Sequence, residues 1–160
     1  MVFAHALFEH LKDPIAALSQ IHRTLKPGGL VALRSPDWGG FLVHPLTPEI
    51  KEALEYYQKV QPANGGDVHA GRKLKEWAER AGFKNAQWSG SFEFVDELGA
   101  ISEYLASQLE SSSVSGFPED SLERKSLLAF AIALRSLPRQ PGALFAGSWG
   151  ELSASKAEMA

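Results

Sequence analysis

The 160-residue chain contains no cysteine, which excludes disulfides, thiolate metal sites and cysteine nucleophiles together. It also lacks any long hydrophobic run. Its apolar stretches fall far short of the ~20 residues a membrane-spanning helix needs, and no basic segment followed by an apolar one opens the sequence. Excess positive charge is missing too: lysine and arginine number 16 against 19 acidic residues. With no basic run to face phosphates, nucleic acid is not an expected partner, and neither is a membrane. No internal repeat or low-complexity tract is visible. These absences leave the profile of a soluble protein suited to a reducing cytoplasm, of a length that fits one domain with one core.

What is present alternates between strand and helix signals. Met1 to Ala4 are apolar and strand-like, with His5 at the strand's end. Asp13-Pro14 supplies an N-cap oxygen and a residue already fixed at helical φ, and Ile15, Leu18, Ile21 and Leu25 follow at helical spacing. Lys26-Pro27-Gly28-Gly29 stops that helix. Leu30 to Leu33 is then a continuous apolar run of the kind found in central parallel strands. Pro36-Asp37-Trp38-Gly39-Gly40 is loop chemistry at that strand's carboxyl end. Thr47-Pro48-Glu49 opens a second helix, with Ile50, Ala53, Leu54, Tyr57 and Val60 on its apolar side and Gln61-Pro62 closing it; Asn64 to Asp67 is a flexible connection.

A third helix carries Leu74, Trp77, Ala78 and Ala81 inward and ends at Gly82. Ala86, Trp88, Phe92 and Phe94 then keep even spacing, as on one face of a strand near Asn85 to Val95. Beyond it, Leu98, Ile101, Leu105 and Leu109 form a helical stripe, Ser111 to Gly116 reads as a break, and Leu127, Phe130, Ala131, Leu134 and Leu137 mark another helix. Ala143 to Trp149 fits a last strand. Gly150 to Ala160 holds too little apolar content to stay fixed and is expected to be a mobile tail.

Some of these residues form a recognisable series. Phe3 to Leu11, then Asp13-Pro14, then His22 to Leu30 resembles the segment between the fourth and fifth strands of class I S-adenosylmethionine-dependent methyltransferases of the small-molecule type. Arg23 to Gly29 carries the family's whole phrase of arginine, any residue, leucine, lysine, proline, glycine, glycine, and Ala81-Gly82-Phe83 is similar to its entry to strand six. The resemblance runs from Met1 to about Val95. It implies an α/β, partial Rossmann-like methyltransferase fold of strands four to seven with flanking helices. On this view residues 1–149 form the C-terminal part of the domain, 95–142 a helical insertion before strand seven, and 150–160 the tail. The glycine-rich loop after strand one and the acidic residue after strand two, which normally hold the cofactor, have no counterpart, so the chain is expected to be a shortened form lacking the N-terminal half.

In open α/β sheets ligands lie beyond the carboxyl ends of the strands, which makes Ala4, His5 and Ala6 the expected cofactor-facing positions. By the resemblance, Phe8, Glu9 and His10 lie where family members line the methyl-transfer channel. An imidazole can take a proton from a hydroxyl or amine, so His10 is a candidate base, with helix-start packing or capping as the competing role. Asp37 and Trp38 supply a carboxylate and an aromatic wall for substrate, unless they serve only the turn. Trp77, Trp88 and Trp149 fall on core stripes. A metal is not expected, since His5 and His10, five apart, do not share a helical face and nothing nearby completes a set.

The function implied is methylation of a small molecule by S-adenosyl-L-methionine, with cofactor binding by this chain alone expected to be weak or absent. The alternative is a non-enzymatic, methyltransferase-derived module that associates with another chain. A nucleotide-binding oxidoreductase ranks last, because it needs the same missing loop. The strand-four edge, without strand one beside it, is expected to promote self-association.

Overall fold

The computed structural model describes residues 1–60, 65–95 and 97–158. The closing Gln61-Pro62, Asn64 at the start of the connection, the side chain of Val60 and the last two residues of the tail lie outside the described residues. Where length suggested one core, contacts divide the chain into two compact units: Met1–Phe41, Gln61–Glu93 and Gly147–Ala160 form the first, Leu42–Val60 and Phe94–Ala146 the second.

The first unit contains β1 (Val2–His5), α1 (Pro14–Thr24), β2 (Leu30–Pro36), α3 (Ala70–Arg80), β4 (Lys84–Phe94, to Glu93) and most of β5 (Leu144–Ser155, from Gly147). As expected of two strands joined through a whole helix, β1 and β2 are parallel, with Val2 opposite Val31 and His5 opposite Arg34. β5 runs antiparallel on the other side of β2, from Leu30 opposite Ser155 to Pro36 opposite Trp149, and β4 pairs with β5. Burial alternates along β2. Val31, Leu33 and Ser35 are buried on one face, where Leu18 and Leu25 from α1 and Leu74, Trp77 and Ala78 from α3 close the core with Phe8, Phe83, Leu152 and Ala154. The sequence signals for α1 hold at atomic detail: Asp13 Oδ1 accepts the Ala16 amide at 2.8 Å, and Pro14 takes the first helical turn.

Two expectations for this unit are corrected. The tail is not mobile from Gly150: the strand continues to Ser155, and beyond it the Lys156 amide donates to the Gly29 carbonyl at 2.8 Å. The reason is a period of two, with Leu152 and Ala154 inward, that supplies the last row of the core despite the small residues around it. The even row on β4 is likewise no buried face, since Trp88 and Phe92 are 46% and 53% exposed.

The second unit contains β3 (Leu42–His44), α2 (Pro48–Val60), α4 (Leu98–Gly116), α5 (Leu122–Ser136) and the first residues of β5, which pair antiparallel with β3. Thr47 Oγ1 caps α2 through the Ile50 amide, and Ser121 caps α5 through that of Arg124. The break expected at Ser111 to Gly116 is absent. α4 runs through it, with the Ser112 hydroxyl donating to the Gln108 carbonyl and that of Ser115 to the Ser111 carbonyl, while Ser113 is fully buried, so packing overrides the weak helix propensity of serine. Arg135 of α5 grips Glu103 and Glu110 of α4, which lowers the Glu103 carboxyl to about 2.

Candidate functional site

Because β1 and β2 are parallel, both strands end on one side of the first unit, and their exits are polar. β1 leaves through Ala6, whose φ of 49° puts a residue with a Cβ in the left-handed region while its amide bonds the Arg34 carbonyl. Such a conformation costs on the order of 1–3 kcal/mol and clusters at functional sites. A short 3-10 turn follows over Phe8–His10. Phe8, expected to line the channel, is 1% exposed and belongs to the core. Glu9 is buried and accepts the Ser35 hydroxyl at 3.0 Å, so two polar groups carried to the covered face satisfy each other. His10 stands outside with its side chain 66% exposed, 3.6 Å from the Glu9 carboxylate.

β2 leaves through Asp37, a buried carboxylate with dense company. Arg72 holds it with two parallel bonds, Nε to Oδ2 at 2.5 Å and Nη2 to Oδ1 at 2.6 Å, and the Gly39 amide and His69 Nδ1 reach Oδ1 at 3.1 and 3.4 Å. Burial alone would raise the Asp37 pKa, but the Arg72 guanidinium and the Gly39 amide outweigh it and hold it below the usual 3.8. Arg72 can reach because α3 begins where two glycines let backbones touch. A Cβ on Gly150 would stand 2.0 Å from the Gly71 carbonyl oxygen, and Trp88 Nε1 donates to that same oxygen at 2.9 Å. Trp38 meets Phe41 edge to face with ring centroids 4.0 Å apart, which gives the exit of β2 an aromatic side.

The chain at 65–69 ties the two exits together. Asp67 N donates to the Glu9 carbonyl at 2.8 Å, and Trp38 N donates to the Val68 carbonyl at 2.8 Å. Asp67 also accepts the His69 amide at 2.9 Å and Lys73 Nζ at 2.5 Å, fixing the start of α3. The structure thus brings Glu9, His10, Asp37 and Trp38 to one end. His5 turns elsewhere: its register partner is Arg34, and its ring stacks on Trp149 with centroids 5.0 Å apart at 19°. Arg34 lies 4.1 Å over the same indole and pairs with Glu93 and Glu151. Trp149 is therefore half a platform and only half packing.

Sequence reasoning missed His69 and Arg72. Their signal was faint: two polar residues near the start of a helix, whose common partner lies 32 and 35 positions earlier. Ala4 and Ala6 carry small side chains that place no charge at the exit of β1, while the Ala6 amide is already taken by the Arg34 carbonyl. Among the described residues no group of three or more His, Asp or Glu is arranged to hold a metal ion, and no helix is long and apolar enough to cross a membrane.

Compared with known proteins, residues 1–87 match a family model described as a methyltransferase domain. An uncharacterized methyltransferase of Schizosaccharomyces pombe is 35% identical over 78 residues, which cover 49% of this chain and 28% of that protein. The chain therefore spans well under half the length of this curated relative. A putative methyltransferase from Bacillus halodurans superposes on 98% of this chain and 68% of its own length with a TM-score of 0.50 at 14% identity, a likeness of fold. A Haemonchus contortus phosphoethanolamine N-methyltransferase in complex with S-adenosyl-L-methionine covers 98% of this chain and 33% of its own, with a TM-score of 0.47 at 18% identity.

Proposed function

This chain belongs to the methyltransferase domain family, and from that premise we propose that it supplies the acceptor side of a methyl-transfer site for a small molecule. The cofactor of the family is S-adenosyl-L-methionine, which when bound supplies an electrophilic methyl group on a sulfonium. In this chain Ala4 and Ala6 would meet one edge of it, with His5 held back against Trp149. The acceptor would lie over the exits of β1 and β2, between the Glu9–His10 turn and the Asp37–Trp38 turn.

The observation that carries this reading is the bridge at 65–69, which joins both strand exits by backbone bonds and makes one surface of two turns. The job of such a surface is alignment: methyl transfer is an in-line displacement, and much of its acceleration comes from holding the reacting atoms in line. Trp38 and Phe41 favour an acceptor with an apolar or aromatic body, and the charged groups behind them orient its polar end.

A second reading is favoured by β1, which lies at the edge of the first unit's sheet with β2 as its described partner. It is that of a module that pairs with another chain, a second copy included. Titration calorimetry with S-adenosyl-L-methionine, followed by transfer of radiolabelled methyl to a panel of small alcohols, phenols and amines, tests the two. Weak binding with slow transfer to one acceptor class supports the enzyme. No transfer to any acceptor at large donor excess supports the module.

A further inference from the structure

We infer that His69, oriented by Asp37, is the group that takes the acceptor's proton, and that the acceptor is therefore a hydroxyl or amine with a proton to give. The inference rests on the methyl-transfer reading above and adds to it the acceptor class and the base.

The argument starts from Asp37. Its carboxylate is buried and held ionised by the two bonds from Arg72, so it can only accept hydrogen bonds. His69 Nδ1 lies 3.4 Å from Oδ1. That contact is favourable only when Nδ1 carries a hydrogen, and a neutral imidazole protonated at Nδ1 presents a bare lone pair at Nε2. The carboxylate thereby selects a tautomer and aims the base.

Position agrees with this. His69 is anchored by its amide on Asp67 Oδ1 and stands beside Gly39, where even a Cβ would come within 3.2 Å of the ring. Its side chain remains 36% exposed, which leaves part of the ring open to an acceptor. His10 differs: its side chain is 66% exposed and its carboxylate partner is 3.6 Å away at Nε2, the nitrogen a base would need free. The charged groups around His69 are Asp37 from the exit of β2, Asp67 from the preceding turn, and Arg72 and Lys73 from α3, two of each sign.

In the step itself the acceptor's O–H or N–H proton passes to Nε2. The acceptor's freed electron pair bonds the methyl carbon, and the bond from that carbon to the sulfonium sulfur breaks with its pair going to sulfur. The proton then leaves His69 to water, and charge balances throughout.

Two measurements on the whole chain decide the matter. The first needs no activity: nitrogen-15 chemical shifts of the imidazoles at neutral pH should show hydrogen on Nδ1 of His69, and Asp37→Asn should redistribute it. Hydrogen on Nε2 instead, unaffected by Asp37→Asn, would overturn the inference. The second compares transfer rates across pH at saturating donor. His69→Gln should lose ~10²-fold in kcat together with the acid limb of the profile, while His22→Gln, on α1 against Phe83, should keep both. If the unsubstituted protein transfers methyl and His69→Gln stays within ~3-fold of it, against the ~10²-fold expected of a base, the base is elsewhere and the methyl-transfer reading survives. If the unsubstituted protein transfers none, that reading falls and takes the base with it.

Discussion

Asp37 concentrates the physics of the site in one side chain. A buried carboxylate is costly unless its lone pairs are taken, and here Arg72, the Gly39 amide and His69 take them. Its folded-state pKa lies below the ordinary 3.8, so the unfolded chain binds a proton more readily as acid is added. The stabilisation is therefore whole above about pH 4 and is lost as pH falls through the lower, folded value. Urea midpoints measured from pH 7 to pH 2 should fall in the acid range for the unsubstituted chain. They should fall less steeply for Asp37→Asn, which starts lower because Arg72 is left without its partner. Parallel curves would show that Asp37 is not the titrating anchor. Asp37 and Trp38 were legible in the sequence because a turn after a buried strand has one place to be. Phe8 was misplaced for a related reason: the turn's position was right, but which of three successive side chains faces the core depends on a 3-10 geometry that no periodicity announces.

Elements were easier to see than the contacts between them. Capping and stop signals located α1 and the start of α2, and the parallel pair followed from a helix between two strands. The end of β5 and the course of α4 did not, since small residues and serines carry propensities that tertiary pairing overrides. The contact between α3 and β5 shows why. Gly71 and Gly150 are 79 positions apart by their numbers, and neither has a local motif, yet their backbones meet without room for a carbon: a Cβ on Gly150 would lie 2.0 Å from Gly71 O. Backbone cannot swing aside as a lysine tip can. Gly150→Ala should therefore cost roughly 3 kcal/mol or more, the upper range for overpacking, and should also detach Arg72 from Asp37 by shifting the start of α3. Chemical denaturation gives the first, and a flattened acid limb in the pH series gives the second. A loss below about 1 kcal/mol would mean that the helix start slides at little cost.

For the molecule as a whole the open question is what lies beside β1. The first unit's sheet places β2 at its middle and β1 at its edge, and an edge strand presents unpaired amides and carbonyls along its outer side. Which residues present them follows from one bond. Ala6 N donates to the Arg34 carbonyl, so even-numbered residues of β1 turn their backbone groups toward β2, and Phe3 and His5 turn theirs outward. Phe3 also carries a side chain that is 65% exposed, which gives a second copy an apolar contact as well as a ladder. Two copies of β1 can meet about a two-fold axis, each offering the same groups. Light scattering at rising protein concentration should then show mass increasing toward that of a dimer. Phe3→Pro should abolish the increase, because proline removes an outward amide and leaves the bonds to β2 in place. Calorimetry on that variant should show S-adenosyl-L-methionine binding no weaker than in the parent if the cofactor meets only the Ala4–Ala6 end. A constant monomer mass in the parent would show that the edge of β1 is not a pairing surface for its own kind.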